Sequence, residues 1–135
     1  MGGSPLNKNK KKEVNKDFIS WFEIPALNFQ QAVQFYNHIF DIEMEQNVTE
    51  SNRMAYFPVS TGIGGAVIEG PGSIPSDTGT LIYLNGGKDL SKVLNKVEDA
   101  GGRIIMQKTK ISKEDGYFAI FIDSQGNKLA LHSKN

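Results

Sequence analysis

The chain has 135 residues, and its 15 Lys and Arg residues balance 15 Asp and Glu residues, so the formal net charge is zero. Hydrophobic residues make up 39% and charged residues 22%, which suits one globular domain or two small fused halves. This balance gives no electrostatic basis for binding nucleic acid or an anionic membrane, and the lack of cysteine excludes disulfides and cysteine metal sites. No apolar run approaches the about 20 residues of a membrane span, and no signal peptide is recognisable, so we expect a cytoplasmic protein.

The first 17 residues differ in composition from the rest of the chain. The stretch NKNKKKEVNK contains five lysines and one apolar residue. Such a composition predicts a solvated basic tail over residues 1–17, because it offers almost nothing to bury. The alternative is an arm that packs on a partner subunit.

The first half of the remaining chain predicts one strand, one helix and three further strands. Residues 18–24, FISWFEI, are β-branched and aromatic and stop at Pro25, which predicts a strand. Asn28 is a candidate helix N-cap, with Gln31 at the third position of a capping box. Apolar residues then follow at helical spacing: Phe29, Ala32, Val33, Tyr36 and Phe40. The three strands are expected around residues 42–48, 53–58 and 64–70.

The same order returns after a linker of sequence PGSIPSDTG. TLIYLN predicts a strand, and Asp89 is a plausible cap for a helix that ends at Gly101, a residue suited to left-handed backbone. The apolar stripe of that helix is Leu90, Val93, Leu94 and Val97. Three strands follow, with the sequences RIIMQK, YFAIFID and KLALHS. Turns are expected at Asp115–Gly116 and over Asp123–Gly126.

Each half therefore has the order β-α-β-β-β, and one helix cannot cover both faces of a four-stranded sheet. Two such halves packed side by side can enclose a hollow between them. The predicted fold class is α+β, with two tandem βαβββ modules forming a curved, cup-shaped mixed sheet and the helices outside. The modules are expected at about residues 18–70 and 79–133, within one domain of residues 18–135.

Five stretches carry a resemblance to the vicinal oxygen chelate superfamily, which includes glyoxalase I, extradiol dioxygenases and bleomycin-resistance proteins. They are WFEIPALNFQQAVQFYNHIF, GGAVIEG, GTLIYLN, VEDAGGRII and GYFAIFIDSQGNKLALHS. The chain is identified as a glyoxalase-like, single-module member of this superfamily. The resemblance implies the paired βαβββ fold, a homodimer and a site inside the cup.

In the metal-dependent members of the superfamily, four strands each supply one His, Gln or Glu ligand. The resemblance carries these positions onto Trp21, Glu69, Thr80 and Ala130. Trp and Ala cannot ligate a metal, and a neutral Thr hydroxyl ligates poorly, so Glu69 is the only surviving ligand position. We therefore expect no cofactor. The alternative is a divalent metal held by relocated ligands, and Glu23 and His132 could join Glu69 in that role.

Eight residues are expected to line the ligand site. They are Trp21, Glu23, Tyr56, Glu69, Thr80, Tyr117, Ala130 and His132. Glu69 is the best candidate for a catalytic group, because a buried carboxylate without a metal has a raised pKa and can act as a general base. The polar segment TKISKEDG before a cup strand is interpreted either as a mobile lid or as an ordinary hairpin loop.

The leading functional hypothesis is a glyoxalase/bleomycin-resistance-like protein that binds a small organic molecule in the cup without a metal. One alternative is a metal-dependent lyase, isomerase or dioxygenase-type enzyme that acts on a small oxygenated substrate. Another is a non-catalytic regulatory or interaction dimer. Whether the protein is an enzyme is left open; if it is, the resemblance implies a lyase.

Overall fold

A computed structural model describes residues 16–135, so the predicted basic tail lies outside the described residues except for its last two positions. The first half contains β1 (Trp21–Pro25), α1 (Phe29–Phe40), β2 (Glu45–Val48), β3 (Arg53–Tyr56) and β4 (Gly64–Glu69). The second half contains β5 (Tyr83–Asn85), α2 (Ser91–Leu94), β6 (Arg103–Ser112), β7 (Gly116–Ile122) and β8 (Lys128–Ser133). Neither helix of the described chain has the length and hydropathy that a membrane crossing requires.

The strands form two separate mixed sheets with the same topology. The first has the order β1-β4-β3-β2 and the second β5-β8-β7-β6. In each sheet the first strand of the half runs parallel to the last, and the remaining pairs are antiparallel. The predicted α+β class with two tandem βαβββ modules is confirmed. Since β1 and β5 are both edge strands, the halves meet without a shared strand ladder.

Helix α1 begins as the sequence predicts. The side chain of Asn28 accepts a hydrogen bond from the N–H of Gln31 at 3.1 Å, which satisfies one of the free donors of the first turn. The return bond of a capping box is absent, because the side chain of Gln125, 97 residues away, accepts the N–H of Asn28 instead. The buried face of α1 lies on the core. It comprises Phe29, Ala32, Val33, Phe35, Tyr36 and Ile39.

Each sheet has one face towards the helices and one open face. The helix side carries Ile24 of β1, Val67 of β4, Leu84 of β5 and Leu131 of β8, all of which belong to the hydrophobic core. The pairing register places alternate residues on the other side of the sheet. We call that other side the open face.

Two predicted elements differ in the structure. Only Ser91–Leu94 forms regular helix in the second half, although Leu90 and Val97 are buried as predicted and Gly101 is left-handed with φ 102°. The polar segment at residues 109–112 is not a loop, because it continues β6 and pairs with β7. The hairpin turn lies only at residues 113–115, and the lid interpretation does not fit this strand pairing.

A buried polar cluster joins the two halves. Tyr36 of α1 donates to the carboxylate of Asp123 in the β7–β8 turn, and the side-chain amide of Asn127 donates both to Asp123 and to the backbone oxygen of Pro25. Asp123 and Asn127 are only 3% and 6% exposed. Buried polar groups stabilise a fold only when they are paired. The bonds from Tyr36 to Asp123 and from Asn127 to Pro25 join the two halves, and the bond from Asn127 to Asp123 holds these two acceptor and donor groups in place.

Candidate ligand-binding site

A groove with a volume of about 660 Å³ lies between the edge strands β1 and β5. Its less exposed lining is apolar and comprises Phe22, Phe40, Ile42, Phe57, Ile63, Leu81, Ile82 and Leu84. Four large apolar residues around it are 44–57% exposed: Ile19, Trp21, Val59 and Tyr83. Exposed apolar side chains gathered at one concave place mark a binding site more often than scattered ones do.

The groove contains one charged residue among those described. The carboxylate of Glu23 lies at its edge, where it accepts a hydrogen bond from the indole N–H of Trp21 at 3.3 Å. Thr80 and Asn85 supply further polar groups, and the side-chain oxygen of Asn85 already accepts the N–H of Gly87. The groove is therefore an apolar, aromatic-rimmed cleft with a single negative charge.

A second cavity of about 220 Å³ adjoins the groove and shares Glu23, Thr80 and Ile82 with it. The linker closes one side of this cavity through Ser76, whose N–H donates to the side-chain oxygen of Asn127. Because Asn127 also holds Pro25 at the end of β1, one side chain fixes the linker and β1 to the second half.

Three of the eight predicted site residues line the groove: Trp21, Glu23 and Thr80. Tyr56 lies beside them on the open face, with its ring centroid 6.1 Å from that of Trp21. The structure brings these four positions together, three from the first half and Thr80 from the second.

Glu69 does not line the groove, contrary to the sequence-based expectation. Its carboxylate accepts the backbone N–H of Phe29 at 2.9 Å and so caps the start of α1. The pairing of Trp21 with Gly64 and of Glu23 with Ala66 puts the even-numbered residues of β4 on the face of Trp21. Glu69 therefore points to the helix side. A register one residue different from the assumed one produces this reversal.

The second half shows one similar reversal. Tyr117 pairs with Ser133 on the helix side, where its ring packs against the core and lies 4.6 Å below the ammonium of Lys108. Phe118 takes the open face instead, with its ring centroid 6.4 Å from that of Tyr83. Every residue of β7 after its glycine is apolar or aromatic, so alternation could not decide between the two.

Ala130 and His132 both lie on the open face of β8 but outside the groove lining. Ala130 is fully buried, and it is paired with Tyr83 of β5 and Ile120 of β7. The imidazole Nε2 of His132 lies 2.6 Å from the backbone oxygen of Asp115 in the hairpin turn. His132 is thus held by the turn and does not reach the groove.

The residues present do not fit a divalent metal. Of the four positions carried over from the metal-dependent proteins, Trp21, Thr80 and Ala130 offer no strong ligand, and Glu69 faces away. The relocated set of Glu23, Glu69 and His132 is not assembled either. No group of three or more His, Cys, Asp or Glu residues suited to a metal occurs within residues 16–135.

The groove also contains residues that sequence reasoning did not select. Tyr83 and Val59 form its rim, and Phe40 and Ile42 reach it from the end of α1. Val59 lies in a loop, where no periodicity marks an orientation. The end of α1 turns towards the groove at Asp41, whose left-handed backbone has φ 54°. Tyr83 lies in the predicted strand TLIYLN, Phe40 on the predicted helical stripe and Ile42 at the start of a predicted strand, but none of these patterns indicated that the residue faces the groove.

The comparisons agree with this fold. The model of the Glyoxalase/Bleomycin resistance protein/Dioxygenase superfamily matches residues 18–131, and the chain belongs to this family. The superfamily predicted from the sequence is thereby confirmed. Comparison with curated proteins gave no match.

Three solved structures illustrate the likeness. A glyoxalase/bleomycin-resistance/dioxygenase domain from Frankia sp. EAN1pec is 11% identical with a TM-score of 0.67, over 90% of this chain and 100% of that one. TnmS3, an antibiotic-binding protein from Streptomyces sp. CB03234, is 16% identical with a TM-score of 0.60, over 90% and 99%. Glyoxalase I from Zea mays is 17% identical with a TM-score of 0.59, over 84% of this chain but 42% of that one. Such low identities establish the fold alone.

Proposed function

We propose that this protein binds a small organic molecule in the groove between β1 and β5, without a resident metal. The observation that carries the proposal is the composition of the groove: an apolar interior, an aromatic and aliphatic rim, and the single carboxylate of Glu23. A ligand with an aromatic or aliphatic body and an amine or hydroxyl group fits this composition, because the body covers the apolar lining and the polar group meets Glu23.

The volume of the groove supports a ligand of drug size. Ligand pockets commonly measure about 300–1,000 Å³, and the volume of about 660 Å³ lies within that range. The fold is also that of TnmS3, which is an antibiotic-binding protein, and this supports ligand binding on the same architecture. The groove offers Glu23 as its only general base among the described residues, which favours binding over catalysis.

Tryptophan fluorescence gives a direct test. The chain has one tryptophan, Trp21, and it lies at the groove, so emission reports this site alone. Aromatic amines of increasing size should bind with a change in Trp21 emission. Glu23→Gln should weaken them by about 1–3 kcal/mol, which is the usual effect of removing a charged hydrogen-bond partner.

Glu114→Gln is the matched control, because it removes an exposed carboxylate at the tip of the β6–β7 hairpin. The Glu114→Gln variant should bind the aromatic amines with the same affinity as the unmodified protein. Binding that is unchanged in Glu23→Gln, or binding that leaves Trp21 emission unaffected, would place the ligand elsewhere and contradict the proposal.

The absence of a metal requirement is tested with the same signal. Treatment with EDTA, and separately the addition of Zn²⁺ or Ni²⁺, should leave ligand affinity and the melting temperature unchanged. A metal that binds the folded state tightly raises stability in proportion to RT ln(1 + [L]/Kd), so a real site gives a clear shift. Such a shift, lost in Glu23→Gln, would favour the metal-dependent alternative.

A further inference from the structure

The two strands that flank the groove are both edge strands. β1 forms one edge of the first sheet, and β5 forms one edge of the second. Proteins usually cover, shorten or charge a free strand edge, because its unpaired N–H and C=O groups invite another strand. Here two free edges border one apolar groove.

The hydrogen bonds show which backbone groups face the groove. Ala26 donates to Ile68 of β4, and Gly86 donates to His132 of β8, while Ala130 donates to Ile82. In a parallel pair alternate residues bond to the neighbouring strand, so even-numbered positions of β1 and β5 bond within their own sheets. The backbone groups of Trp21 and Glu23, and those of Tyr83 and Asn85, therefore point away from their sheets.

The outward-facing backbone groups of these four residues have no hydrogen-bond partner among the described residues. Within residues 16–135, no loop, turn or side chain forms a hydrogen bond with their backbone N–H or C=O groups. All four belong to the groove lining. The groove thus presents backbone donors and acceptors on both walls, in addition to its apolar interior.

From these edges we infer that the groove recognises an extended peptide by accepting it as a strand between β1 and β5. This inference rests on the proposed function and specifies the chemical class of the ligand. Main-chain hydrogen bonds give affinity in such strand addition, and pockets for alternate side chains give selectivity. A peptide between two edges uses all its N–H and C=O groups, whereas a peptide on one edge uses only every second residue.

The side chains around the slot define the preferred peptide. Apolar side chains match Phe22, Phe57 and Leu84 in the interior, and one basic side chain matches Glu23, the one charged residue that residues 16–135 contribute to the lining. The linear span of a short peptide, about 3.3 Å per residue, makes four or five residues sufficient to run along β1.

The probe is the blocked peptide acetyl-Val-Phe-Lys-Phe-Val-amide, with variants that are N-methylated at one residue each. The parent peptide should bind and change Trp21 emission. N-methylation at the second and at the third residue should each weaken binding at least tenfold, because adjacent N–H groups point to opposite walls. Replacing lysine by norleucine should weaken binding to the unmodified protein but not to Glu23→Gln.

Amide hydrogen exchange supplies the readout from the protein. The N–H groups of Trp21, Glu23, Tyr83 and Asn85 should exchange fast in the free protein and slowly with the peptide. Those of Ile24 and Leu84 should be slow in both. Protection of the first four in the free protein would show that these edge groups are already hydrogen-bonded, and would overturn the inference.

The remaining outcomes separate the inference from the proposed function. If aromatic amines bind with a change in Trp21 emission but the peptide does not, the strand slot is wrong and the proposed function stands. Weakening at only one of two adjacent N-methylated positions, or at neither, also overturns the two-edged slot. If neither the amines nor the peptide bind, both proposals fail.

Discussion

The phenol oxygen of Tyr36 lies 2.6 Å from Oδ2 of Asp123, and this hydrogen bond joins the helix of the first half to the last turn of the second. Both side chains are buried. The other carboxylate oxygen of Asp123 accepts the N–H groups of Gln125 and Asn127. The contact between the halves is therefore organised around one buried charge with several donors, which is how such a charge is tolerated inside a protein.

Removing the hydroxyl of Tyr36 should weaken this joint. Tyr36→Phe takes one donor from a buried carboxylate, so the free energy of unfolding should fall by about 1–3 kcal/mol in urea denaturation. Tyr56→Phe is the matched control, since the hydroxyl of Tyr56 meets only the sulfur of Met54 at 3.8 Å. Equal stability of the two variants would contradict a structural role for the Tyr36–Asp123 bond.

The same bond predicts a loss of stability at high pH. Burial first, and then the charge and the hydrogen bond of Asp123, raise the pKa of Tyr36 well above its ordinary value of 10.0. Above pH 10 the unfolded chain loses this proton while the folded chain keeps it, so stability falls as the pH rises. Unfolding measured between pH 9 and pH 11 should show this slope, and Tyr36→Phe should reduce it.

At acidic pH the stability of the fold should depend on the ionisation of Asp89. Hydrogen bonds from Lys108, first, and then from Ser91 lower the pKa of Asp89 from 3.8 to about 2. The stabilisation from the ionised form is therefore complete above pH 3.8 and is lost as the pH falls towards 2. NMR titration of the Asp89 carboxyl should give the low pKa. Lys108→Gln should move it back towards 3.8, and an unchanged value would refute the pairing.

Glu69 should contribute to stability and not to ligand binding. Glu69→Ala removes the acceptor for the first N–H of α1 and a favourable negative charge at a helix start, which should reduce stability by about 1 kcal/mol. Glu69→Gln keeps an acceptor oxygen and should retain most of that stability. Ligand affinity measured by Trp21 emission should be the same in both variants, and a selective loss of binding would return Glu69 to the site.

We expect two copies of the chain to associate through the edge strand β6. This edge strand exposes Ile105, Met106 and Ile111, each by more than 40%, whereas the opposite edge strand β2 exposes only Val48 among its large apolar residues. We expect a homodimer, sedimenting at twice the chain mass of 14.9 kDa at tens of micromolar. Ile105→Lys should shift the equilibrium to monomer, and Val48→Lys should not. A monomer for the unmodified chain would contradict the expectation.

The features predicted correctly from the sequence depend on near neighbours. Asn28 caps α1 through a residue three positions away, and the turn at Asp123 closes with a bond from Gly126. Both patterns lie within five residues, where residue type largely determines the local conformation. The strand order of the two halves followed from the same local signals and a repeated pattern.

The incorrect predictions concern residues whose structure depends on contacts with residues far away in the sequence. Gln125 completes the cap of α1 from the other half of the chain, which no local pattern contains. Glu69 was placed on the wrong face because a shift of one residue in the β1–β4 register reverses every side chain of β4. Residues 109–112 have loop-like polarity but become strand because β7 lies alongside them to pair with.

The absence of a ladder between β1 and β5 has a consequence for how such proteins diversify. The two sheets are joined by side-chain contacts, among them the hydrogen bonds of Tyr36 and Asn127 and a shared hydrophobic core, and not by backbone hydrogen bonds between β1 and β5. Substitutions at these contacts between the halves can widen or narrow the groove, while the strand register within each sheet stays the same. Selection for a bulkier or slimmer ligand can then act on the spacing of the two walls, at a cost in stability wherever it removes a buried bond such as Tyr36–Asp123.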